Sequence, residues 1–171
     1  LGTDVSFPLN TVRARRPRRV PSVLSRDEIQ RLFAGLSGLH LLLPRLLYGS
    51  GLRIMECLRL RVKDVDFELL QITVRDGKWL KDRVTILPES TIPALADHLR
   101  HVHQIHQADL RLGLGAVALP DAFARKALNA PFDWSWQYVF PARALSRDPR
   151  SGRLLRHHLG PACLQRAITR A

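Results

Sequence analysis

The sequence predicts an α+β fold, mainly helical, with a small antiparallel sheet of two or three strands. Three observations lead there. Apolar residues recur at helical spacing in several separate stretches. Two short runs rich in β-branched residues, 70–75 and 83–87, flank an Asp76-Gly77 turn signal. The balance of 46% hydrophobic and 25% charged residues over 171 positions is that of a globular domain with one core.

Taken in order, residues 1–24 read as a linker. Positions 1–10 have no periodicity, and Arg13, Arg15, Arg16, Arg18 and Arg19 then crowd around Pro17. Such a run is extended by itself. It is either a solvated tail or an arm that lies along phosphates and orders on contact. Ser25-Arg-Asp-Glu28 is a capping box, and Ile29, Leu32, Phe33 and Leu36 form one stripe behind it. Leu41 to Tyr48 is apolar nearly all round and belongs in the core; Pro44 suits only a first turn, which predicts a helix start near Leu42. Gly49 and Gly51 supply a turn, after which Ile54, Cys57 and Leu58 face inward on a short helix.

Asp64 to Phe67 is a short strand, followed by the hairpin. Beyond Pro88, Ile92, Leu95, Leu99 and Val102 mark a long helix to about Leu110, stopped by Gly113 and Gly115. Pro120-Asp121 opens a short helix over 122–128. Residues 129–156 are mostly irregular, with a strand-like stretch, 136–140, that would put Trp134 and Trp136 on one face. Gly160-Pro161 opens a last helix whose apolar face is Leu164, Ala167, Ile168 and Ala171.

Lys and Arg number 27 against 15 Asp and Glu, a formal net charge of +12. Such an excess speaks to a polyanionic partner, nucleic acid before membrane. No apolar stretch is long enough to span a bilayer, and no signal-peptide pattern opens the chain. Cys57 and Cys163 fall on apolar helix faces and read as buried, reduced thiols of a cytoplasmic protein. His98, His101, His103 and His106 share the long helix without a completing ligand set, so a polar helix face is expected there, with no metal and no cofactor.

Arg53 follows the Gly-Ser-Gly turn at a helix start. A guanidinium is permanently charged and holds two phosphate oxygens at once, and a glycine turn adds backbone donors nearby. Lys78, on the hairpin, supplies a second cation. The competing reading makes Arg53 a surface arginine paired with Glu56.

Tyr48-Gly-Ser-Gly-Leu-Arg53-Ile-Met-Glu56, continuing through Leu60-Arg-Val-Lys-Asp64-Val-Asp66, resembles the first active-site box of the tyrosine recombinases, the phage integrase family. Gly77-Lys78-Trp-Leu-Lys-Asp-Arg83 with Leu87-Pro88 resembles their hairpin motif G-K-G-x-K-x-R, with Trp79 in place of a glycine. Ala118-Leu-Pro-Asp121, Trp136-Gln-Tyr-Val-Phe-Pro141 and Asp148-Pro-Arg-Ser-Gly152 through Arg156-His-His158 resemble integron integrases. The resemblance runs from Arg18 to Ala171. It implies an interdomain linker at 1–24 and the N-terminal part of a catalytic domain at 25–171, with an integron-type insert at about 110–158.

By that resemblance Arg53 grips the scissile phosphate, Lys78 protonates the departing 5′ hydroxyl and Glu56 braces the arginine. Trp136, His157 and His158 match residues that capture bases protruding from folded single-stranded sites, where stacking is worth about 1–3 kcal/mol per base. The partner implied is DNA, handled by tetramers. No His-x-x-Arg box and no nucleophilic tyrosine is matched up to Ala171; Tyr48 reads as core and Tyr138 as strand. A chain of these residues is therefore expected not to cleave DNA alone. The alternatives are a non-catalytic DNA-binding fragment or decayed integrase, and a generic basic nucleic-acid-binding protein.

Overall fold

Ser25 caps the first helix as its box requires: its Oγ accepts the Glu28 N–H at 3.3 Å, and its own N–H donates to Glu28 Oε2 at 2.7 Å. The computed structural model describes residues 23–75, 82–119 and 127–171. The five arginines of the linker, Lys78 with its Asp76-Gly77 turn, and most of the helix expected over 122–128 lie outside the described residues. The elements are α1 (Arg26–Ala34), α2 (Gly38–Ser50), α3 (Ile54–Leu58), β1 (Val65–Asp66), β2 (Gln71–Val74), β3 (Arg83–Ile86), α4 (Ile92–Arg111), β4 (Ser146–Arg147), β5 (Leu154–Leu155) and α5 (Pro161–Arg170). This is the mainly helical α+β fold with a small antiparallel sheet.

The core is built on α2. Leu42, Leu43 and Leu46 pack with Cys57 and Leu58 of α3, Ile72 and Val74 of β2, Leu95 of α4, Phe140 and Leu164. α2 begins at Gly38, not near Leu42, and carries Pro44 inside it. Pro44 has no N–H to give the His40 carbonyl, a break that costs ~3 kcal/mol. Burying three leucines, each worth about 1.5–3 kcal/mol, outweighs it. Tyr48 is 58% exposed rather than core. It lies two residues beyond Leu46, about 200° around the helix from the buried stripe, and meets Phe33 edge to face. The stripe on α1 is likewise only half-buried.

Two glycines shape the end of α2. Gly51, at φ +61°, is its left-handed cap, while a Cβ on Gly49 would stand 2.4 Å from Pro88 Cγ. Gly49 therefore lets the helix touch the start of the α4 region.

The sheet has order β1-β2-β3, all antiparallel, with Val65 opposite Ile72 and Val74 opposite Arg83. Ile72 and Val74 point into the core, while Val84 and Ile86 of β3 are exposed, so one face is packed and the other open. Pro161 starts α5, which buries Leu164 and leaves Ile168 39% exposed. No helix among the described residues is long and apolar enough to cross a membrane.

The stretch 129–156 departs furthest from expectation. Trp134–Trp136 is a 3₁₀ turn capped by Asp133, whose Oδ1 accepts the Ser135 N–H at 2.7 Å. Three residues per turn separate Trp134 from Trp136 by about 120°, so they do not share a face. The expected strand shrinks to a bridge between Arg61 and Tyr138. Buried Gln137 instead donates its side-chain amide to the Gly115 and Pro131 carbonyls. A two-residue-per-strand hairpin, β4–β5, appears where irregular chain was expected. Asp148 organises its turn by accepting from the Ser151 N–H and hydroxyl, and Gly152 turns at φ +68°. Of the cysteines, Cys57 is buried and its thiol is pushed up to about 12 by desolvation. Cys163 is half-buried instead, with Sγ 3.3 Å from His40 Nε2.

Candidate functional site

Arg53 is the N-cap of α3, and Glu56 stands at the third position of that helix. The short helix returns Glu56 toward its own start, so its Oε2 accepts the Arg53 N–H at 2.9 Å and its Oε1 accepts Arg53 Nη1 at 2.7 Å. The same Oε2 accepts Arg83 Nη2 from β3 at 2.9 Å. A second tie joins these elements: Thr85 Oγ1 donates to the Ser50 carbonyl at 2.7 Å. The Arg53 side chain is 61% exposed and that of Glu56 only 10%. Arg53 thus pairs with Glu56 and still presents its guanidinium to solvent.

Burial pushes the Glu56 carboxyl up. The Arg53 N–H and guanidinium, with the Arg83 charge, outweigh burial and hold it below the ordinary glutamate value. A depressed folded value means stability that is present above the unfolded pKa, about 4.3, and lost as pH falls through the folded one. Glu56→Gln is therefore expected to destabilise the chain at about pH 7, with a deficit that shrinks toward about pH 3. Urea unfolding at the two values measures it; a deficit independent of pH would mean that the carboxylate's charge contributes nothing.

Lys78 lies outside the described residues. β2 and β3 leave the described residues at Arg75 and Asp82, where Arg75 Nη1 approaches Asp82 Oδ2 to 3.9 Å.

A second cluster lies beside the first. Asp64, buried, accepts the Arg61 N–H at 3.0 Å and Arg75 Nε at 2.7 Å. The Arg61 guanidinium donates to the Trp136 and Ala118 carbonyls, both at 2.8 Å, and lies 3.6 Å over the Tyr138 ring. Tyr138 is buried under that cation. Lys63 Nζ stands 2.9 Å from the Trp136 ring centroid. Desolvation, then the Arg75 charge, lowers the Lys63 pKa.

His157 and His158 line a cavity of about 570 Å³ with Tyr138, Arg59, Arg150 and Arg153. His158 meets the Tyr138 ring edge-on at 5.4 Å and donates Nδ1–H to the Leu159 carbonyl. Trp136 is not among the residues lining that cavity. The two histidines are brought together, and the tryptophan is placed against Lys63.

The histidines of α4 are not simply a polar face. His98 donates to the Val139 carbonyl and stacks on Phe140, and His106 is buried beside Trp134. Desolvation lowers the pKa of both. Among the described residues no group of three His, Cys, Asp or Glu is placed to hold a metal.

Sequence reasoning assigned no role to Arg83, Arg61, Asp64 or the Asp109–Arg156 pair. Arg83 was legible as the last residue of the hairpin motif, and Arg61 with Asp64 as a cap three residues apart; the Asp109–Arg156 pair spans 47 residues, and spacing carries no signal for it.

The backbone is similar to that of a tyrosine recombinase. A crystal structure of XerA recombinase matches with a TM-score of 0.52 at 26% identity, covering 94% of this chain and 45% of that one. The phage integrase family profile matches residues 22–158, and the chain belongs to that family. Proteins described as integrase/recombinase from Escherichia coli and Pseudomonas aeruginosa are each 45% identical over 171 residues, which is 100% of this chain and 51% of each relative. Tyrosine recombinase XerA of Thermococcus kodakarensis is 40% identical over 87 residues, 49% of this chain and 29% of that protein. The chain thus spans about half the length of the curated relatives it matches most extensively.

Proposed function

We propose that this chain is the part of an integron integrase-like site-specific recombinase that carries the first phosphate-gripping residues. Residues 25–171 are part of its catalytic domain, with an insert at about 110–158, and 1–24 are the linker. Arg53 holds the scissile phosphate, where negative charge builds in the transition state. Lys78 protonates the leaving 5′ hydroxyl. Arg13, Arg15, Arg16, Arg18 and Arg19 lie along the DNA backbone. The whole protein works as a tetramer on DNA in the bacterial cytoplasm.

The observation that carries this reading is the Glu56 carboxylate. It ties Arg53, on the turn after α2, to Arg83, on the strand that leads back from Lys78. Residues from two separate sequence motifs thereby meet at one exposed cation. Neither tyrosine suits the nucleophile role in this reading, since Tyr138 lies under Arg61 and Tyr48 stands on the outer side of α2.

Trp136, His157 and His158 take protruding bases of a folded single strand. The cavity behind the histidines supports this, because it is of ligand size and is lined by aromatic and basic groups. Competition binding of a folded hairpin with unpaired bases against a plain duplex of equal length, at matched salt, tests the reading. Trp136→Ala is expected to weaken the hairpin by about 1–3 kcal/mol and to spare the duplex, since a paired base must first be extruded. Arg16→Ala should weaken both equally, as a phosphate contact does. Equal losses on both ligands for Trp136→Ala would remove the integron-type reading and leave the family assignment intact.

A further inference from the structure

We infer that Arg83 is a positioning residue, which acts through Glu56 to keep the charge of Arg53 available to a phosphate oxygen. The inference rests on the proposed phosphate role of Arg53. Charge balance at the site is the reason. Arg53 and Glu56 alone form a close ion pair, with 2.7 Å between Nη1 and Oε1 and no net charge. A phosphate approaching that pair would meet a guanidinium already matched by a carboxylate. Arg83 changes the balance by placing Nη2 2.9 Å from Oε2. One carboxylate is then shared by two guanidiniums, and the trio carries a net charge of +1. The Glu56 side chain is 10% exposed, so salt and water screen this exchange weakly.

Exposure decides where the excess charge is presented. The Arg53 side chain is 61% exposed and that of Arg83 38%. Arg83 Nη1 is buried and makes no hydrogen bond among the described residues. A guanidinium serving only as a surface charge would keep that donor in water, since burying it unpaired is costly. Its placement follows from holding the carboxylate. Oε2 is fixed between Arg83 Nη2 and the Arg53 N–H, which orients Oε1 toward Arg53 Nη1. Arg83 therefore sets both the direction and the net charge of the Arg53 head.

The test follows the Arg53 Nε–H resonance of the full, ¹⁵N-labelled chain during titration with inorganic phosphate. Arg83→Ala is expected to weaken phosphate binding at Arg53 by about tenfold, because the pair becomes neutral. Arg83→Lys returns the charge and should recover most of the loss. The combined Arg83→Ala, Glu56→Gln chain should also recover part of it, since the carboxylate that quenched Arg53 has lost its charge. A purely structural role predicts the opposite, namely further loss on the second substitution. Should Arg83→Ala show no cooperative thermal unfolding, Arg83→Gln keeps the side-chain bulk and answers the same question. Phosphate affinity within about twofold of wild type in the neutral variant, or a double variant no tighter than the single one, overturns the inference. A wild-type Arg53 signal that ignores phosphate overturns the phosphate-site reading as well, and so separates the two failures.

Discussion

Raising salt from about 50 to about 200 mM is expected to lower the affinity of this chain for double-stranded DNA by about a thousandfold or more. The formal net charge is +12. Arg53, Arg59, Lys63, Arg75, Arg150 and Arg153 are all exposed around the two clusters and the histidine cavity, Arg53 and Arg75 while also holding a carboxylate. Each phosphate neutralised releases condensed counterions, and about six contacts suffice for a loss of this size over a fourfold change in salt. Titration at the two ionic strengths gives the slope directly. A slope corresponding to fewer than about two phosphates would reject a DNA-backbone partner for this surface.

Asp109→Ala is expected to cost about 3–5 kcal/mol of stability, among the largest losses available to a single substitution here. Asp109, near the end of α4, and Arg156, after β5, are both buried and form a two-point pair; Nη2 meets Oδ1 at 2.7 Å and Nε meets Oδ2. Arg156 Nη1 also donates to the Ala142 and Arg143 carbonyls. One guanidinium thus pins the 142–156 segment to the helix. Removing the carboxylate leaves a buried cation with carbonyls alone. A double apolar replacement, Asp109→Leu with Arg156→Met, should lose less than the single change, because no uncompensated charge remains. Asp97→Ala is the control: its pair with Arg100 is exposed on both sides and should matter by less than about 1 kcal/mol. Urea unfolding of the three chains separates these cases. A loss of less than about 1 kcal/mol for Asp109→Ala would mean that the carbonyls by themselves satisfy Arg156.

The cavity lined by His157 and His158 depends on that pin. Arg156 precedes the two histidines directly, and its N–H donates to the Ala116 carbonyl at 3.1 Å. The substitution at Asp109 therefore reaches the proposed base-binding surface through the backbone, although Asp109 is not among the residues lining the cavity.

Local chemistry let the sequence alone determine the cap of α1, the pairing of β2 with β3 and the place of one cation. Ser25 and Glu28 are three residues apart, so their capping box needs no partner from elsewhere. The β-branched runs on either side of Asp76-Gly77 became β2 and β3 in register. Arg53 was placed by the glycine turn before it, and Glu56 by the helical return three residues on. Tertiary structure decided whatever depends on which face meets which. Leucine burial carried α2 back to Gly38 through Pro44 and left Tyr48 outside. The Asp133 cap and the buried Gln137 side chain bent 134–140 away from a strand and parted Trp134 from Trp136. Arg83 lies 27 residues beyond Glu56, and Arg156 lies 47 beyond Asp109. Helical and strand periodicities reach only a few residues, and charge pairs at those separations are fixed by packing alone.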